Sequence, residues 1–454
     1  LQNTLFLDFE TASLADLSEV GIDNYAKHAS TKVSMLAWAL DGEDVRIWLP
    51  HAEPIPEPLL ALIRNPDILL IAWNVSFEWN IFKHVLQLDI PMHRFRDPMV
   101  LSHNLSLPGK LEKVAIILKM VNLKDDRGKE LMKMFCQPVS MGGEMTLFGM
   151  TTPLFRDHNS HPKEFAEYIE YCKQDVRAER DLWYLFLKVG FPEVEWKGWL
   201  LDQKINEFGI PGRRDLGEKG LRLALRYIAD QKDICKKLTG LENPNSDTQM
   251  KAWATERGYP WNTLLAGTVA AELNNPASKC TPECKIALKA RGFARKSSYT
   301  KIEKFLALLS TDDDRLRYQF RFMGAARTGR WASGGGEDAS MQVQNMPRGM
   351  KAVKKRLDFA LGLLEAEDYD GIIREFTNTP HPNDSVTVVD FVITLLRSLF
   401  QAKPGKKFLV VDKNAIENRI LGWAAGCKRI MDVFKAGRCP YMDFGSILFN
   451  IPYE

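Results

Sequence analysis

Long apolar runs are missing from this chain. No stretch approaches the roughly 18 residues needed to cross a bilayer, and the opening LQNTLFLDFE has neither the basic region nor the cleavage site of an export signal. A soluble protein of the cytoplasm is the expectation. Cysteine is sparse and unpaired: the seven, at positions 136, 172, 235, 280, 284, 427 and 439, form no C-x-x-C motif. That scatter fits reduced thiols better than a disulfide framework. Cys280 and Cys284, without a second pair, are a weak zinc motif. Excess charge of one sign is lacking too, since 61 basic against 58 acidic residues leave +3, which by itself announces no nucleic-acid partner. Basic segments at 291–301 and 351–356 could meet phosphates, although such runs are usually solvated faces. No internal repeat or low-complexity tract appears.

What is present is an ordinary globular composition, 45% apolar and 26% charged over 454 residues, more than one hydrophobic core usually serves. Two to three domains are expected. Apolar runs predict strands at 4–8, 33–40, 45–49 and 68–73, and three-to-four spacing predicts helices at 77–86, 111–118 and 165–189. Gly190 and Pro192 mark a boundary near residue 190. Amphipathic helix dominates 196–309, with breaks at 209–211, 243–246 and 275–276. Beyond Leu316 come a glycine-rich stretch, TGRWASGGGED, a polar segment at 377–385, and the apolar FLVVD, read as a buried strand ending in Asp412.

Asp8 and Glu10 alternate along a strand, so both project from one face and can hold a divalent cation between them. Hard carboxylate oxygens suit Mg²⁺ or Mn²⁺, and two such ions stabilise the attacking and leaving oxygens of phosphodiester hydrolysis. A lone D-x-E is more often an ordinary strand end. Here it is followed by Asn74 and Glu78 in AWNVSFEWNIF, at a strand-to-helix junction, and by Tyr171 and Asp175 in YIEYCKQDV. The last two share a helical face.

In this order and spacing the segments resemble the three exonuclease motifs of the DEDD superfamily, in its variant with a tyrosine in the third motif. Glu78 stands where the family has Asp. The resemblance implies metal-assisted in-line hydrolysis of a 3'-terminal phosphodiester, with Asp8, Glu10, Glu78 and Asp175 holding two ions and Tyr171 orienting the attacking water. LSLPGKLEKVAIILKM and KDDRGKELMKMFCQP, between the second and third motifs, are similar to segments of phage-type family A DNA polymerases, the bacterial DNA polymerase I class.

Downstream, ARTGRW (326–331) and QNMPR (344–348) are similar to segments that hold primer–template DNA in that family. Arg327, Arg330 and Arg348 are candidate phosphate clamps, and Gln344 and Asn345 offer amides to the minor groove or sugars. Asn74 is a further candidate contact to nucleic acid. FLVVDKNAIENRILGWAAG resembles the family's first palm motif. By that resemblance Asp412 is a palm metal ligand, Glu417 lies beside the incoming nucleotide and Arg419 is a structural or backbone-contacting cation. Lys413 and Asn414 replace the family's aromatic and serine.

The implied architecture is an α/β ribonuclease H-like exonuclease domain (1–190), a mainly helical thumb (191–319) and the start of an α+β polymerase palm (320–454). No fingers lysine and no second palm aspartate follow. A fragment or a polymerase split between two polypeptides is expected over a decayed one. The implied function is a proofreading DNA-directed DNA polymerase with two Mg²⁺ or Mn²⁺ ions per site. Its partners would be primer–template DNA, a single-stranded 3' end, deoxynucleoside triphosphates and a further polymerase segment or second polypeptide, with no membrane and, for a phage protein, in the host cytoplasm. A stand-alone 3'→5' exonuclease and a non-catalytic replisome scaffold remain the alternatives.

Overall fold

The computed structural model describes residues 3–120, 126–139, 155–295, 299–325, 327–334, 339–377 and 386–453. Strand β1 (Thr4–Ala12) is covered on both faces, and every residue of it but Asp8 is buried, which is why it reads as an almost unbroken apolar run. After α1 (Leu17–Lys27) come β2 (Lys32–Leu40), β3 (Arg46–Trp48), α2 (Glu57–Arg64) and β4 (Leu69–Ile71). Helix α3 (Ser76–Asn80) and a π-helical turn (Ile81–Val85) then lead to β5 (Phe95–Arg96). The strands form one mixed sheet in the order β3-β2-β1-β4-β5. β1 is antiparallel to β2 and parallel to β4, so it lies at the centre. A bulge in the β1–β2 register falls at Glu10 and Thr11, a device that re-aims side chains.

Four helices follow: α4 (Pro98–Asn104), α5 (Leu111–Ile117), α6 (Asp126–Cys136) and α7 (Pro162–Leu187). Pro162 opens the first turn of α7, so the helix starts three residues ahead of the expected Phe165. Its buried stripe runs through Phe165, Tyr168, Tyr171, Cys172, Asp175, Glu179 and Leu182. Phe165, Cys172 and Leu182 are core packing; the other four are acidic or phenolic, which a purely structural helix avoids. The strand expected to reach Trp73 stops at Ile71, because Trp73 and Asn74 give their N–H groups to the carboxylates of Glu179 and Asp97. The single helix expected over 77–86 changes to π-helical geometry after Asn80.

Helix α8 (Glu193–Phe208) ends at Gly209, whose φ of 69° favours glycine. Its Trp196 and Trp199 are buried in the same core as the sheet. A two-residue strand β6 (Ile210–Pro211) precedes α9 (Arg214–Thr239), α10 (Asp247–Thr255), α11 (Ala266–Leu273), α12 (Pro282–Ala294) and α13 (Thr300–Leu308). Cys280 and Cys284 are packed among these helices. β7 (Arg315–Leu316) pairs with β6, and β8 (Phe320–Ala325) forms a hairpin with β9 (Arg330–Ser333). Then α14 (Lys351–Lys354), α15 (Leu357–Glu365), α16 (Tyr369–Thr377) and α17 (Val388–Ser398) pack with α9 and α13 around a helical core. Among the described residues the fold is mostly helical with one five-stranded mixed sheet. No described helix is long and apolar enough to cross a membrane.

By contact the chain forms two compact units, residues 1–401 and 402–454. The second holds α18 (Ile416–Ala424), α19 (Lys428–Lys435) and α20 (Pro440–Phe449). The buried strand expected at 408–412 is not formed: the segment is irregular, and Leu409, Val410 and Val411 are 88%, 87% and 79% exposed. A strand needs a neighbour to receive its N–H and C=O groups, and among the described residues none pairs with this one. Its alternating-free apolar run therefore lies open to solvent.

Candidate active site

Asp8, Glu10, Glu78 and Asp175 line one cleft of about 630 Å³, with Asn74 beside them. β1 supplies the first two acids, α3 the third and α7 the fourth. Three separate stretches of sequence are thus brought together, as their motif spacing requires. Asp8, Glu10 and Cys172 are closest, with potential ligand atoms all within 4.8 Å of one another. Glu78 and Asp175 stand outside that tight group but face the same space.

Each acid has a built surrounding. The Tyr168 hydroxyl donates to Glu10 Oε2 at 2.6 Å, and Cys136 Sγ lies 3.1 Å from that hydroxyl. The Cys172 thiol approaches Asp8 Oδ2 at 3.5 Å. Burial raises the Cys172 thiol well above its usual range, and the neighbouring Asp8 raises it further, so it is a neutral donor to Asp8 rather than a thiolate. The Tyr171 hydroxyl is raised by burial and by the charges of Asp175, Glu10 and Asp8, and it bonds to Asp175. Gly128 of α6 lies flat against the Tyr171 ring, where any Cβ would collide with it.

Glu78 is 3% exposed, and its Oε2 has no hydrogen-bond partner among the described residues. Burial, then the Asp8 charge, pushes its carboxyl well above the usual range. A buried carboxylate without a partner is costly, and a divalent cation between these oxygens removes that cost. The donors are carboxylate oxygens flanked by a protonated thiol, a set that fits Mg²⁺ or Mn²⁺ rather than a soft metal.

Several residues of this site escaped the sequence reading. Tyr168, Cys172 and Glu179 lie on the α7 face that carries Tyr171 and Asp175, so extending that three-to-four ladder by a turn each way would have found them. Glu179 is 1% exposed; burial and the charges of Asp8 and Glu78 push its carboxyl well above the usual range. Asp97 reads in sequence only as an Asp-Pro helix cap. Burial holds its carboxyl at about 7 despite three backbone hydrogen bonds.

A second group lies on the β8–β9 hairpin. Its turn, with Gly329 at φ 63°, exposes Arg327 and Arg330. The Ser333 hydroxyl of β9 donates to Gln344 Oε1 at 3.3 Å, joining the hairpin to the 3₁₀ turn Val343–Asn345. Arg397 donates to the carbonyls of Met346 and Pro347, which fixes the chain just before the exposed Arg348. These five candidate contacts are all exposed. Of the glycines at 334–336, only Gly334 lies within the described residues. The hairpin is bolted to the rest of its unit by Asn206, which reads both backbone groups of Phe320, and by Trp331 Nε1, which donates to Asp202 at 2.7 Å.

In the second unit, Asp412 is exposed in the irregular segment and Glu417 lies in the first turn of α18. Asp412 joins no group of three potential metal ligands among the described residues. Arg419 donates to Asn414 O at 2.9 Å and sits over the Phe434 ring, a structural placement.

No protein-family model matches the chain. The DNA polymerase of Bacillus phage SP02 is 31% identical over 460 residues, an alignment that takes in 99% of this chain and 66% of that protein. Among solved structures, the POL domain of Pol1 from M. smegmatis, in complex with DNA primer-template and dNTP, matches 100% of this chain and 64% of its own at a TM-score of 0.52. At 13% identity this second likeness concerns the fold alone. The chain spans just under two thirds of the length of either. With nearly all of its own length aligned to the phage protein, the chain is related to the DNA polymerases.

Proposed function

We propose that the chain is the exonuclease-bearing part of a proofreading DNA-directed DNA polymerase that acts in DNA replication, for a phage protein in the host cytoplasm. Residues 1–190 form a ribonuclease H-like 3'→5' exonuclease domain, 191–319 a thumb and 320–454 the beginning of a palm. The convergence of Asp8, Glu10, Glu78 and Asp175 on one cleft carries this reading. Two Mg²⁺ or Mn²⁺ ions held by these acids would activate water and stabilise the charge that develops on the scissile phosphate.

The remaining work belongs to the chain's own side chains. Tyr171, with a hydroxyl that stays protonated, orients the water by donating or accepting one hydrogen bond. Tyr168 and Cys172 fix the Glu10 and Asp8 carboxylates by donating to them. Asn74, at the rim of the same cleft, binds the 3'-terminal nucleotide. Arg327, Arg330 and Arg348 hold phosphates of the primer–template, and Gln344 and Asn345 contact its minor groove or sugars. Asp412 and Glu417 serve a polymerase site completed by acids beyond those described here, with deoxynucleoside triphosphates as substrates.

The exposure of Asp412 favours one rival, a nuclease that uses the hairpin as a DNA platform. Primer extension by the full-length gene product separates the two. Incorporation under saturating nucleotides, lost on Asp412→Ala, supports the polymerase; nuclease activity without incorporation supports the rival. For the nuclease itself, Mn²⁺ titration of wild type and Asp8→Ala is the test, and equal affinity for both would contradict the metal site.

A further inference from the structure

The turn that delivers Asn74 and Glu78 to the cleft is gripped by two carboxylates outside the metal-binding set. Trp73 N–H donates to Glu179 Oε2 at 2.8 Å, and Asn74 N–H donates to Asp97 Oδ1 at 3.0 Å. Asp97 also receives Val75 N–H and caps α4 through Met99 N–H at 2.9 Å. Three consecutive backbone donors are thus taken up by side chains from α7 and from the start of α4. Asn74 itself sits at φ 68°, a left-handed conformation that asparagine tolerates better than most other residues. Glu78 follows one helical turn later.

Burying Glu179 and Asp97 at this depth is expensive, and an apolar pair would pack there at lower cost. Glu179 Oε1 even lacks a hydrogen-bond partner among the described residues. What the acids supply that an apolar pair cannot is acceptance of the 73–75 donors. The jaw formed by Asp97 is steadied from outside the sheet: the Arg321 guanidinium, on β8 of the Arg327–Arg330 hairpin, interacts electrostatically with it. Ser76 on the same turn reaches α8 by donating to Gln203 Oε1 at 3.0 Å.

We propose that Glu179 and Asp97 are positioning residues that clamp the Trp73–Val75 turn and so set Asn74 and Glu78 against Asp8 and Asp175, with Arg321 tying this clamp to the hairpin. The inference rests on the metal-dependent reading of the cleft, but the clamp itself can be measured without metal. In the full chain, Glu179→Leu removes the acceptor while Glu179→Gln keeps one.

The expected result for Glu179→Leu is faster amide hydrogen exchange at Trp73 in metal-free protein and Mn²⁺ affinity lower by about 10-fold or more, as for other residues that orient metal ligands. Glu179→Gln should restore both to near wild type, which a merely electrostatic role would not do. Should the leucine variant fail to fold, Glu179→Asp shortens the arm by one methylene and is expected to move both readouts the same way. Unchanged exchange and affinity in a folded variant, or a glutamine as damaging as leucine, would overturn the clamp. A wild type whose Mn²⁺ affinity equals that of Asp8→Ala would instead sink the metal reading while leaving the exchange result to judge the turn.

Discussion

Tyr171 shows how much one side chain depends on a neighbour that has none. Its ring fills the space above Gly128, and its hydroxyl meets Asp175. Tyr171→Phe removes the hydroxyl and is expected to lower kcat for single-stranded DNA by about 10²-fold with little change in KM. Gly128→Ala displaces the ring and is expected to cost on the order of 10²-fold by misplacement alone. Because both act on one hydroxyl, the double variant should be no worse than the poorer single one. Single-turnover hydrolysis rates for the three variants check this. Additive losses would mean that Gly128 acts elsewhere.

A second residue-scale expectation concerns pH. Asp202 is buried beneath the hairpin and its carboxyl is pushed up to about 7, burial outweighing its bonds from Trp331, Asn206 and Gln203. A carboxyl with a raised folded-state value holds its proton more tightly folded than unfolded. Its contribution is full below about 4 and falls away as pH rises towards 7. Asp202→Asn should therefore flatten the decline in stability between pH 4 and pH 7, by at most about 4 kcal/mol. Urea unfolding of wild type and variant at the two ends of that range measures it; a parallel decline in both would refute the assignment. His103, lowered to about 4 chiefly by burial, acts in the opposite sense, losing stability as pH falls through the same interval, and is common to both proteins.

Among the elements, β1 and α7 were legible because their patterns are long. An almost continuous apolar run identifies a strand covered on both faces, and Tyr171 and Asp175 four apart identify a helical face. The junction between β4 and α3 was harder. Its strand end is decided by acceptors 106 and 23 residues away in sequence, Glu179 and Asp97, which no local pattern reports. The hairpin was legible only as TGR with glycines. Its function is expected to be additive and electrostatic: Arg327→Ala and Arg330→Ala should each weaken primer–template binding and each lower the slope of log K against log salt by roughly 0.9. Binding titrations at several salt concentrations decide the point, and an unchanged slope would remove these arginines from the DNA surface.

At the scale of the molecule, the motifs foretold which acids would meet but not that Trp196, Trp199 and Phe322 would join the core of the sheet. Those residues lie beyond Gly190, the boundary suggested by local breakers. The segment at 408–412 taught the opposite lesson. Its composition demands a strand, yet a strand is a property of a pair, and its partner is not among the described residues. The central claim, that the four acids and Tyr171 remove nucleotides from a 3' end, is tested most directly on a 5'-labelled single-stranded oligonucleotide in Mg²⁺. The account predicts a ladder that shortens stepwise from the 3' end, abolished by chelation and reduced to background by Asp8→Ala or Asp175→Ala. Degradation that persists in either variant, or no degradation by the wild type, would contradict it.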